Sequence, residues 1–430
     1  MTAKTKKILT IIGFIILVLL LAFLLYLVFF KKPVVVEPEV EPPVEVLPRL
    51  PVSRGEWERM TVSERIQQDL PLIEWPEEDL LPREAISIEA EIIATQIDEI
   101  AQGRKTWVAP VVINPVQGAT ISANGENSIY YDPKTGYFYE ADHWGNKTLL
   151  SDQVFHNVQN INWAPTKDRA IIEYPDGFKV MYDFNKKKQY TLSKNWEDFH
   201  WGPAGNRIAF KATSKYPENN WLAIAMADGS QAKPIEHMGD NADKVTMSWS
   251  PNNQIIAFSA TGDPRGTWEQ EILLIGQHGE NFQSLIIDGR DFQPKWSPKG
   301  DKIVYSVYAA EFDYQPRLYI VDGQTNNPGA NKKVLNLATW AHKCAFNNSG
   351  STLYCAVPKD LPEGAGLVKE LGEGIRDDFY KIDVETGRIS FLAEAAMGGY
   401  NVENIYVSQD EDYLYFTDAD SHRLRYIQLK

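Results

Sequence analysis

Local signatures of catalysis are missing from this chain. It holds no Gly-x-Ser-x-Gly elbow, no Walker-type glycine loop, no dinucleotide fingerprint and no His-Glu-x-x-His pair. The seven histidines (143, 156, 200, 237, 278, 342 and 422) are scattered singly, a pattern that expects neither a metal site nor a cofactor. Positive charge is also short, with 43 Lys and Arg against 58 Asp and Glu and a net charge of −15. Three of the lysines lie in the first thirty residues, so the remainder sets 40 bases against 58 acids, a net −18. Such a surface repels polyanions, which excludes nucleic acid as a partner. Cysteine is nearly absent: Cys344 and Cys355 are too few for a disulfide-built scaffold.

A long, almost purely apolar run occurs once. Residues 8–30 carry no charge and are long enough to cross a bilayer core of about 30 Å. The run ends in Phe29-Phe30-Lys31-Lys32-Pro33, without a small-residue cleavage site, so an uncleaved anchor is expected after a short tail of residues 1–7. Lys4, Lys6 and Lys7 before the span place the amino terminus in the cytoplasm and the rest outside, in the periplasm or at the cell surface. Residues 31–52 interleave proline with Val and Glu and read as an extended stalk. Residues 53–106 read as a short helical segment. Ile86, Ala90, Ile93, Ile97 and Ile100 keep helical spacing up to Gly103. The alternation of Ile86, Ile88, Ala90 and Ile92 also fits a strand; the length of the run and its Glu, Ala and Gln favour helix.

What is abundant is one repeated phrase. Trp296-Ser297-Pro298-Lys299-Gly300 precedes Ile303-Val304-Tyr305, which reads as strand, tight turn, strand. Trp163-Ala164-Pro165, Trp201-Gly202-Pro203 and Trp249-Ser250-Pro251 repeat it, and weaker copies start at Ile121, Phe346 and Val407. The seven positions are separated by 42, 38, 48, 47, 50 and 61 residues, and each full unit has room for four strands. Periods of this size indicate propeller blades. The last unit is one strand short, and Trp107–Ile113 stands unassigned before the first, so it is expected to close the ring as the outermost strand of the last blade. The fold expected for residues 107–430 is an all-β, seven-bladed β-propeller of four-stranded blades.

On these Trp-x-Pro turns the chain resembles the TolB-like, WD-type β-propeller repeats. The insertion Pro358-Lys359-Asp360-Leu361-Pro362-Glu363-Gly364 also looks like one found in membrane-anchored bacterial members. The resemblance implies fold far more than function. The α/β domain and cleaved signal of TolB are missing, so TolB's own role is not implied.

Cys344 and Cys355 fall opposite each other when the hairpin is folded about Ser349-Gly350. They are either bridged, as an oxidising compartment would favour, or two small buried thiols.

Loop parity divides the expected ring into two faces. The turns after Trp-x-Pro lie on one, and the longer second-to-third-strand and blade-to-blade loops lie on the other. Function concentrates in loops on a rigid scaffold, so the candidate binding residues are those of the loop-rich face: Trp196, Trp221, Asp263, Arg265, Trp268, Glu311, Phe312, Asp313, Tyr314, Trp340, His342 and Tyr400. The function expected is a membrane-anchored, non-catalytic binding module or scaffold whose partner is a protein or cell-envelope component. The alternative is a glycan-acting hydrolase or lyase using carboxylates such as Asp263, Glu311 and Asp313.

Overall fold

A computed structural model describes residues 97–430. The expected anchor at 8–30, the stalk at 31–52 and most of the 53–106 segment lie outside the described residues, and among those described no helix is long and apolar enough to cross a membrane.

Seven sheets surround a central channel. Blades 1 to 6 span residues 117–149, 160–192, 196–237, 245–288, 290–335 and 344–395; blade 7 takes residues 402–428 and one strand from the start of the domain. Each blade is an antiparallel meander with its first strand innermost. Its middle strands are covered on both faces by neighbours, so they read as near-continuous apolar runs rather than alternating ones. Ser128–Asp132 is buried at every position, and Lys302–Tyr308 at all but its two ends. The core lies between blades: Phe258 and Leu274 of blade 4 pack with Tyr305 and Tyr319 of blade 5.

The repeated phrase has one structural meaning in all seven blades. Each position counted above ends, or lies just past, an inner strand. The residue four places on is left-handed: Gly125, Lys167, Gly205, Asn253, Gly300, Gly350 and Glu411 all have φ between 60° and 78°. In every copy its N–H donates to the carbonyl three residues back, as Gly300 does to Ser297 at 2.9 Å. This is a turn ending in a left-handed residue, which glycine adopts without a Cβ penalty. Glycine is also required sterically where turns touch: a Cβ on Gly205 would lie 2.6 Å from Thr166 Oγ1.

The tryptophans bind blade to blade. Trp163 Nε1 donates to Gly118 O (2.7 Å), Trp201 Nε1 to Asn162 O (3.0 Å) and Trp296 Nε1 to Ser248 O (3.3 Å), each acceptor being on the inner strand of the preceding blade or, for Ser248, just past its end. Trp249 departs from the pattern and donates to Asn253 in its own turn.

The ring closes through blade 7. Ala109–Pro110 pairs antiparallel with Arg423–Gln428, and Val111 N donates to Leu424 O at 2.9 Å. Only two residues of the expected Trp107–Ile113 strand form the ladder, and Pro110 accepts no further strand beyond it. The helical expectation needs correction at its carboxyl end. Residues 97–103 are irregular, with isolated bridges at Asp98 and Ile100 and no helix, and Arg104–Thr106 adds to blade 6 as a fifth, parallel strand beside Ile389–Ala395. The free edge of blade 6 offers a row of unpaired backbone groups, and pairing with it outweighs a helical preference.

Cys344 and Cys355 face each other across the two inner strands of blade 6 and are joined as a disulfide, with Cα atoms 4.1 Å apart.

Candidate binding site: the two mouths of the channel

At the loop face, blade 6 inserts residues 359–376 between its second and third strands. The insertion leans onto blade 5: Gly364 N donates to Asp313 O (2.8 Å), Gly366 N to Tyr314 O (2.7 Å), and Lys369 pairs with Asp291 (3.0 Å). Beneath it, Trp340 packs with Leu361 and Ala365, and a Cβ on Gly372 would sit 2.6 Å from the indole. Trp340 is therefore 5% exposed, a plug under the insertion rather than a surface on which a partner could rest.

Beside this plug opens a cavity of about 680 Å³, lined among others by His342, Lys369, Glu373, Asn401, Asp420 and His422. His342 lies open to it, yet its surroundings and the nearby Lys343, Lys295 and Lys369 push its pKa down to about 4, so it is neutral at pH 7. Below, Lys343 and Asp377 form a buried pair (2.9 Å), and Asp377 also accepts from Val402 N (2.6 Å). Burial pushes the Asp377 carboxyl up from its ordinary range against the pull of Lys343 and Val402. This knot joins blade 6 to blade 7. A second cavity, of about 600 Å³, lies over blades 1, 2 and 7 and shares Glu403 and His422 with the first.

The candidate residues divide. Trp268 and Tyr314 meet edge to face at 5.7 Å, Phe312 lies under the Arg317 guanidinium at 4.6 Å, and Arg265 pairs with Glu271 at 3.5 Å. Asp263, Glu311 and Asp313 are exposed on loops of blades 4 and 5 and line neither cavity. Trp221 stands apart against His237, at 4.8 Å. Trp196 stacks on Phe210 at 3.9 Å inside the packing between blades 2 and 3. Tyr400 lies under Arg425, at 4.3 Å. Of the twelve, only Trp340 and His342 line the 680 Å³ cavity.

At the turn face, a cavity of about 520 Å³ opens between the inner-strand ends and turns of blades 1, 2, 4, 5, 6 and 7. Lys167 and Lys295 line it, and no carboxylate does. Lys167 Nζ donates to Thr120 Oγ1 (3.1 Å) and Lys295 Nζ to Cys344 O. Burial alone pulls each ammonium down to about 8. Deeper in the ring, His200 Nδ1 accepts from Trp249 N (3.1 Å), and burial lowers its pKa too. None of these three was legible as a site residue, because lysines of blades 2 and 5 meet only across the closed ring. Among the described residues no group of three or more His, Cys, Asp or Glu is placed to hold a metal ion.

No family model matches the chain, and no curated protein matches it in sequence. Among solved structures, the β-propeller domain of Myceliophteria thermophila Cps50 (Swd1) aligns with a TM-score of 0.50 at 10% identity, over 75% of this chain and all of that one. An oligogalacturonate lyase in complex with manganese gives 0.48 at 12% identity, covering 75% and 90% of the two chains. TolB from Acinetobacter baumannii gives 0.36 at 11%, covering 70% and 63%. At 10% identity the first likeness is one of fold alone, and the last two scores carry no argument.

Proposed function

We propose that this propeller is a membrane-anchored, extracytoplasmic binding module that engages a protein or cell-envelope component through its loop face and does no chemistry there. The observation that carries this reading is the 359–376 insertion, held on blade 5 beside a 680 Å³ cavity of mixed charge. It makes one sector of a repetitive ring individual, as recognition requires. Catalysis on glycans would want two acids facing one cleft. Asp263 lies on a different blade from Glu311 and Asp313, and none of the three lines a described cavity. The outward placement is supported by the apolar run at 8–30 with its preceding lysines, and by the disulfide, which suits an oxidising compartment. Two measurements test the reading. A cysteine placed at Val40 should react with a membrane-impermeant thiol reagent on intact cells; labelling only after lysis reverses the topology. The full chain, solubilised from membranes, should capture a specific partner that Lys369→Glu and Trp268→Ala release. Equal recovery with both variants removes the loop face from the interaction.

A further inference from the structure

The channel runs against the charge of the molecule. In a chain of net −15, the turn-face cavity holds two lysines and no acid. Neither lysine has a carboxylate partner among the described residues; each rests on one neutral oxygen. Leaving a cation in a low-dielectric channel without a counter-ion is costly, and folds retain such charges where something supplies the opposite one. Lys167 stands moreover at the left-handed position of its turn, φ 61°, where four other blades use glycine. A lysine there accepts a backbone penalty that glycine avoids.

We propose that the turn-face mouth is a second binding site, taking a carboxylate on an acidic peptide segment of a partner protein, with Lys167 and Lys295 meeting its charge from opposite sides of the channel. The lining offers two ammonium groups and no arginine fork, a donor set that two carboxylate oxygens can satisfy and that leaves much of a phosphate unmatched. The rim favours peptide over acidic sugar. Asn348 and Gln409 are exposed and their side chains make no hydrogen bond among the described residues, leaving both amides able to donate to and accept from peptide groups. Sugar rings want a free aromatic platform, and the three aromatics here are engaged: Trp296 stacks on Phe258 at 5.7 Å, Tyr406 on Tyr415 at 5.4 Å, and Phe346 packs against the apolar core between blades 5 and 6. The basic channel in an acidic body also focuses the field that draws an anion inward.

The site is independent of the loop-face reading, and its test uses other residues. A fluorescent hexaglutamate peptide is titrated against the full chain in detergent, beside hexaglutamine and trigalacturonate. Hexaglutamate should bind, weaken with salt, and lose on the order of tenfold in affinity with Lys167→Met and again with Lys295→Met. Each lysine also bridges two blades, Lys167 through Thr120 and Lys295 through Cys344, so both variants are read alongside the melting midpoint, and Lys167→Arg, which keeps the charge, should restore binding. A second readout is acylation of Lys295 at pH 8, which bound peptide should slow. Binding of trigalacturonate without hexaglutamate overturns the peptide assignment. Equal binding of hexaglutamine, or binding untouched by Lys167→Met, overturns the site.

Discussion

The two ends of the channel are made by the same inner strands yet obey different rules. At the turn end every blade repeats one hydrogen-bonded turn with a left-handed residue at the same place. Neighbouring turns touch: Gln409 N donates to Gly125 O at 2.7 Å, and Asn252 Nδ2 to Gly300 O at 3.1 Å. At the loop end no two blades agree, and blade 6 carries an insertion with its own small core. Contact between like turns constrains each one, so what varies at that end is the side chain projected into the channel. The loop end is constrained blade by blade, so it can vary in backbone.

If the loop end is locally load-carrying, single changes there should cost most. Asp377→Ala strands Lys343 without its partner and should lose about 3–5 kcal/mol in urea unfolding. Glu411→Ala on the turn face, which loses bonds from Asn347 (3.0 Å) and Tyr354 (2.8 Å), should cost about 1–3 kcal/mol. Equal costs would erase the contrast. Trp340→Ala should also lose about 3–5 kcal/mol, because the insertion has nothing else to close over. Replacing both cysteines by alanine opens a link of 11 residues and should cost about 3 kcal/mol on the chain-entropy account, read from the thermal midpoint of the non-reduced protein.

The channel should respond to pH at both ends of the neutral range. His200 is depressed in the fold, so the unfolded chain takes up its proton first; that contribution to stability is lost as pH falls from about 6.5 through the folded value. Lys295 is held near 8 in the fold against about 10.4 unfolded, so the wild-type chain gains stability relative to Lys295→Met as pH rises between those values. A difference that stays flat from pH 8 to 10 would show that the ammonium is not desolvated. The smallest expected stability effect is Trp268→Ala, about 0.5–1.5 kcal/mol for its pairing with Tyr314, alongside a clear loss of partner capture.

The seven turns could be aligned in the sequence because they are local: a strand end, a tight turn and a left-handed residue four places on fit within six residues. The indole bonds between blades could not, since Trp163 and its acceptor Gly118 are 45 residues apart. The 53–106 segment was ambiguous for a physical reason: Ile86 to Ile92 satisfies both periods, and those residues lie outside the described ones. Arg104–Thr106 pairs with an edge of blade 6 nearly three hundred residues on, which no local signal announces. Trp340 looked like an exposed aromatic on a loop because nothing local announces that a later insertion covers it. Loop parity did place the faces, as the positions of the insertion and of the seven turns agree with it.

The way the ring closes also sets a timetable for biosynthesis. Ala109 pairs with Tyr426, and Ile100 bridges Gln428, so these early residues wait for partners more than three hundred positions later. At ribosomal rates of about 5–20 residues per second, that wait is on the order of tens of seconds. Through that interval six blades can form while the edges of an open ring stand bare. Pro110 in the waiting strand withholds a donor from any foreign strand it meets.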